Sequence, residues 1–165
     1  MNADAFRSLY EYHFSENRKL WEKYVVPLSW EQFTRPAEYS HGSVRAQLVH
    51  LMDVDEVWFA ELQGSEPSTP LPEPHEDDRA RLRAHWDEVE RSMRGYLAGL
   101  RDEMLSARPI REPEEDRGLA VWQVLWHVVN HGTDHRAQLL RELHDLGAAT
   151  KGQDFIFYVY EHMRK

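Results

Sequence analysis

Three histidines, His127, His131 and His135, follow one another at four-residue intervals in the run VWQVLWHVVNHGTDHRAQLL. Imidazole is a neutral nitrogen donor near pH 7 and the commonest side-chain ligand of divalent metals. On a helix, steps of four advance about 40° around the axis and about 6 Å along it, so neighbouring members of the series share a face. His131 and His135 therefore suit one shared ion. They continue a stripe of Val121, Val124, Val128 and Leu139 at steps of three and four, so two imidazoles take places that core residues would otherwise fill. His127 lies on a line with Val124 and His131 and is expected beside the ion, at the mouth of the site, rather than on it.

Two ligands leave a tetrahedral or octahedral ion under-coordinated, so a third is expected from a facing helix, with exchangeable positions beyond it. His50 is the candidate, mid-way along SVRAQLVHLMDVDEVWF beside the stripe of Val44, Leu48, Leu51 and Trp58. Asp53, Asp55, Glu56 and Asp134 stand near these positions as further ligands or ligand-orienting groups, and spacing does not choose among them. A single buried histidine is usually a hydrogen-bonded core residue. Three in register are another matter, because unpartnered imidazoles would each cost about 1–3 kcal/mol to bury. His13, His41, His75, His85, His144 and His162 stand among polar neighbours and are expected on the surface, with His41 near the rim of the site. HGTDH is not HExxH: Gly132 stands where a metalloprotease carries its general-base glutamate, which disfavours peptide hydrolysis. Inside a helix that glycine costs about 1 kcal/mol relative to alanine. A close helix crossing, or space beside the metal, would account for it.

Proline and glycine divide the chain into the elements that must position these groups. Residues 3 to about 25 read as a first helix, closed by Pro27. A short helical turn around Ser29 to Phe33 follows, and Ser43 can cap a second long helix running to about Gly64. Residues 65–74, SEPSTPLPEP, read as a surface loop rather than a domain boundary, since neither side is large enough to stand alone. From about His75 to Ser106 a single apolar stripe in a charged background marks an amphipathic third helix. Leu119 to Leu146, closed by Gly147, is the fourth and carries the histidines. QDFIFYVYEHMRK has the composition of a strand but the position of a short closing helix, and helix is the favoured reading. An all-α, single-domain four-helix bundle over residues 1–165, with a short extra C-terminal helix, satisfies these faces.

Composition narrows the function. With 165 residues the chain can bury about two-thirds of its unfolded surface without staples. It has no cysteine, which excludes disulfides, thiolate sites and a cysteine nucleophile, and suits a reducing cytoplasm. Charge interrupts the N-terminal run MNADAFRSLYEYHFSENRKL every few residues, so neither a secretory signal nor a membrane span is expected. Lys and Arg number 20 against 29 Asp and Glu, and a net charge of −9 repels a phosphate backbone. Nucleic acid is not an expected partner.

The stretch HGSVRAQLVHLMDVDEVWFAELQG and the later HVVNHGTDHRAQL resemble the DinB family, whose members pair a histidine on the second helix with a late HxxxH. The likeness spans nearly the whole chain, and all three ligand histidines match. Ala137 departs from the family's histidine–arginine–glycine–glutamine run, which bears on local packing more than on metal binding. The resemblance implies an up-and-down bundle, a zinc or nickel ion on His50, His131 and His135 with open positions, and a homodimer. It does not imply DNA repair. Relatives include transferases and isomerases that use mycothiol or bacillithiol, so the resemblance implies a small-molecule substrate and a low-molecular-weight thiol activated by the metal.

Two functions follow, with catalytic residues unassigned. The first is a metal-dependent thiol transferase or hydrolase, with His127 and Arg136 as candidates to orient substrate. The second is a non-catalytic metal-binding stress-response or dimeric interaction protein. A metal-free bundle with structural histidines is the bland alternative to both.

Overall fold

A computed structural model describes residues 1–69, 71–72 and 74–163. Among them every regular element is helical, as the sequence periodicity predicts. The elements are α1 (Ala3–Leu20), α2 (Trp30–Thr34), α3 (Val44–Gln63), α4 (Arg79–Gly99), α5 (Val121–Asp145) and α6 (Phe155–Met163). α1 widens into a π turn over Trp21–Val25 before Pro27. The capping chemistry is local. Asn2 accepts from the Ala5 amide, Ser29 and Gln32 form a reciprocal capping box, and Ser43 accepts from the Ala46 amide. Gly64 ends α3 in the left-handed region at φ 65°. The closing segment is the helix α6; residues 164 and 165 lie outside the described residues, as do residues 70 and 73 of the proline-rich connection.

α4 is shorter at both ends than its apolar stripe suggests. At its start, Asp78 is buried in a salt bridge with Arg45 of α3 (2.8 Å), and Arg45 also donates to the Pro72 carbonyl (3.0 Å). The connection is thereby tied down up to Asp78, and helix begins only after it. At its end, Leu100 turns extended and inward, and Arg7 of α1 donates to the carbonyls of Leu97 (2.9 Å) and Leu100 (3.0 Å). A guanidinium thus satisfies acceptors that another helical turn would have used.

α3 packs on α5 and α4, and α1 on α5 and α4, around one apolar cluster. Phe6, Tyr10 and Leu20 of α1, Leu48, Leu51 and Phe59 of α3, Leu82 and Met93 of α4, and Leu125, Val128 and Leu139 of α5 form its centre. Tyr10 meets the ring of Phe59 edge-on at 5.5 Å and donates its hydroxyl proton to the Leu125 carbonyl at 3.0 Å. α6 lies against α1 through Tyr12, which packs on Phe155 and Tyr158 and donates to the Gln153 carbonyl at 2.7 Å. No helix among the described residues is long and apolar enough to cross a membrane.

The α1–α5 contact explains Gly132. A Cβ there would lie 2.5 Å from His13 Cε1 and 2.7 Å from His13 Nδ1, and the His13 ring is fully buried. The glycine marks a close helix contact. Gly132→Ala is expected to lower stability by about 1–3 kcal/mol through overpacking, outweighing the ~1 kcal/mol gained in helix propensity. Urea denaturation measures the difference, and an unchanged or raised midpoint would show that His13 can give way.

A second test concerns Glu142, whose carboxyl burial pushes up to about 7. Between pH 4.5 and 7 the folded state keeps a proton that the unfolded chain releases, so this group's contribution falls as pH rises through that window. Glu142→Gln should raise the melting temperature relative to the parent at pH 8 and lose the advantage near pH 4. An equal offset at both pH values would trace the effect to something other than ionisation.

Candidate metal centre

Beneath the histidine cluster lies a polar network that fixes the helices carrying it. His13 and Asn17 of α1, Asp55 of α3 and Arg136 of α5 are all buried, with His13 at 0%, Asp55 at 1% and Arg136 at 1% exposure. Arg136 Nη1 donates to His13 Nδ1 (3.2 Å) and to Asn17 Oδ1 (2.9 Å), and Nη2 donates to Thr133 Oγ1 (3.2 Å). Because arginine only donates, His13 Nδ1 must accept. The proton therefore sits on Nε2 and is donated to Asp55 Oδ2 at 3.0 Å. A neutral imidazole thus bridges a guanidinium and a carboxylate across three helices. Tyr12 adds its ring face, 5.3 Å from the Arg136 guanidinium carbon.

His13 is therefore a buried keystone, not the surface residue expected from its neighbours. The signal that would have found it is its place on the stripe Phe6, Tyr10, His13, Asn17 and Leu20, at alternating steps of four and three. Asp55 sits likewise on the α3 stripe of Leu51, Phe59 and Leu62. Polar residues at core positions in three helices are most economically explained by one another.

Along the α3–α5 seam, at the border of core and solvent, four histidine rings meet. His50 of α3 lies with its ring centre 5.0 Å from that of His131 and 4.6 Å from that of His135, and the latter two are 4.1 Å apart. His50 Nε2 and His131 Nε2 approach to 3.1 Å. The fourth ring is His41, from the turn before α3, stacked on His50 at 3.8 Å. His41, His50 and His135 each offer a ring nitrogen within 4.8 Å of the others'. His127 is exposed at the edge, 5.7 Å from His131 and edge-on to Trp58 at 5.2 Å. Arg136 is committed to the network below and presents no free guanidinium to solvent. Asp55 is likewise held by His13, Glu56 pairs with His85 at 3.0 Å, and Asp134 accepts from Gln138 at 3.0 Å.

The residues fit a divalent cation, with a difference from the expected triad: the ring nitrogens mutually within 4.8 Å belong to His41, His50 and His135, and His131 stands outside that group and meets it through His50. Two nitrogens bound to one tetrahedral ion at about 2.1 Å stand about 3.4 Å apart, close to the 3.1 Å between His50 and His131. His131 Nδ1 is buried without a partner, and the Nε2 of the same ring faces another imidazole. Burial, followed by the neighbouring His41 and His135 rings, pushes His50 down to about 4. Burial, followed by the neighbouring histidines, pushes His131 down to about 3, and burial also lowers His135. The rings are thus held neutral, the form that ligates metal. The Gln47 amide nitrogen meets His135 Nδ1 at 2.9 Å, which fixes the orientation of the ring, and donates to Gln138 Oε1 at 3.0 Å. Ala137 is exposed.

If the network orients the cluster, Asp55→Ala should destabilise by on the order of 3 kcal/mol, because it strands the Arg136 charge in the core. The apolar double variant Asp55→Leu/Arg136→Met should recover part of that loss. A single-variant loss below about 1 kcal/mol in urea would mean the pair is already compensated elsewhere.

No curated protein matches the chain. The DinB family model matches residues 1–164, essentially the whole chain and a span that includes both histidine segments of the seam. The chain belongs to the DinB family.

Proposed function

We propose that the protein is a metal-dependent enzyme of the DinB family, built as a single domain in an up-and-down four-helix bundle, with a divalent ion on His50, His131 and His135. The observation that carries this reading is the convergence of three neutral imidazoles from two helices, with two Nε2 atoms 3.1 Å apart. When bound, the ion supplies Lewis acidity that brings the pKa of a coordinated water or thiol toward neutrality.

The chain's own residues do the rest. Gln47 orients His135, the Arg136–His13–Asp55 network fixes the separation of α3 and α5, and half-burial leaves one side of the cluster open to a small molecule. The exposed His127, with Trp58 against it, is positioned to meet such a substrate; Arg136 positions the ligand helix instead. The reaction class is a thiol-dependent transfer or a hydrolysis, the ion zinc or nickel, and the thiol co-substrate of low molecular weight. We further infer a cytoplasmic homodimer without nucleic-acid or membrane partners, on the strength of the −9 charge and the family.

A second reading, a non-catalytic metal-binding stress or interaction protein, draws support from His41, which would close the site if it were a permanent ligand.

Elemental analysis of protein purified without a nickel column or chelators tests the site. About one ion per chain is expected, lost in His50→Ala, His131→Ala and His135→Ala and kept in His144→Ala. Absence of metal from the parent protein, with none taken up from added zinc, nickel, iron or manganese, would falsify the reading and make the histidines structural.

A further inference from the structure

We propose that His41 is a fourth, loop-borne ligand of this centre, one that competes with an incoming thiol or other donor for the same coordination position. This rests on the metal reading above and adds a residue outside the helix-borne triad. The His41 ring lies parallel to His50, 21° between planes with centres 3.8 Å apart, and its centre is 5.3 Å from that of His135. One nitrogen from each of His41, His50 and His135 falls within a 4.8 Å set. Two nitrogens on one tetrahedral ion at about 2.1 Å stand about 3.4 Å apart, so closure around a cation draws these nitrogens together by at most about 1.4 Å.

The backbone presents the ring in this position. Ser40 and Gly42, on either side of His41, both have positive φ, 50° and 88°. Ser40 is an uncommon residue to hold that conformation and is secured by its side chain, which donates to Gln47 Oε1 at 2.7 Å and also meets Gln138 Oε1. Gln47 also contacts His135 and donates to Gln138, so the turn bearing His41 and the helix bearing His135 share one set of polar contacts. The Gly42 carbonyl accepts from the Ala37 amide at 2.6 Å and closes the turn.

His41 differs from the other three in being exposed and borne on a turn rather than on a long helix. It also lines a concavity of about 400 Å³ with Trp30, Pro36, Arg45 and Pro74, which gives the ring space to leave the cluster. A ligand with these properties fills the coordination sphere in the resting protein and yields to a stronger donor. It thereby reconciles a four-histidine cluster with an exchangeable site.

Cobalt(II) substitution of the full chain tests this without recourse to activity. The parent should bind one Co2+ with the intense visible bands of four-coordinate nitrogen ligation. His41→Ala and His41→Gln, with circular dichroism unchanged, should still bind one Co2+, with weaker bands and a Kd raised about tenfold or more. Added imidazole should restore the bands. Titration with 2-mercaptoethanol, followed by its sulfur-to-cobalt charge-transfer absorption, should reach half-saturation at lower thiol concentration in the variants. Parent and variants identical in spectrum and Kd would overturn the proposal and leave the three-histidine site intact, and an unchanged thiol titration would overturn the competition. Failure of the parent to take up Co2+ would overturn the metal reading itself, and this proposal with it.

Discussion

The arrangement depends first on the imidazole of His13, clamped between the Arg136 guanidinium and the Asp55 carboxylate. Two full charges in a protein interior are costly unless each is compensated. Here the link between them runs through a ring with one donor and one acceptor, so it works in only one tautomer and over a narrow range of helix spacings, while Asp55 Oδ1 and Arg136 Nε have no partner among the described residues. α1, α3 and α5 are held at the separation that lets a ring fit between them. Gly132 shows how narrow that range is, since the ring occupies the place of its missing Cβ.

The histidine seam inherits this precision. Gly132 follows His131 directly and Arg136 follows His135 directly, so the residues that meet His13 alternate with those that meet His50. One face of α5 is locked into the core while the adjoining face carries the imidazoles. Asp55 performs the corresponding service on α3, five residues after His50. Neutral rings packed this closely would otherwise be free to separate and hydrate, and His131 would escape the burial of its unpartnered Nδ1.

Much of this was legible in the sequence. The helix limits follow from Ser43, Gly64 and Gly147, and the spacing of His131 and His135 together with the place of His50 on the facing helix point to the seam where the structure brings their rings together. The ends of α4 were not legible, because they depend on Arg45 and Arg7, each reaching from another helix, and no local pattern encodes a tertiary cap. His41 could be placed near the rim but not in contact with His50, since turn conformation there rests on a positive φ at Ser40, a residue that gives no such signal by type. His13 reads as a surface residue because Glu11, Ser15 and Glu16 surround it in a charged helix, whereas its burial follows from residues three and four positions away.

A histidine on an apolar stripe has two ways to avoid an unsatisfied nitrogen inside the protein, a hydrogen-bond partner for each nitrogen or a shared cation. His13 takes the first, with Arg136 on Nδ1 and Asp55 on Nε2. His131 has no such pair: one nitrogen is orphaned and the other meets a ring that is also held neutral. The contrast lies within one protein and less than one helical turn of α5, between Gly132, which carries the His13 contact, and His131 beside it. Sequence periodicity alone treats the two histidines as equivalent core intruders. What separates them is the inventory of partners, and it is the ring lacking partners that stands where a cation would satisfy several imidazoles together.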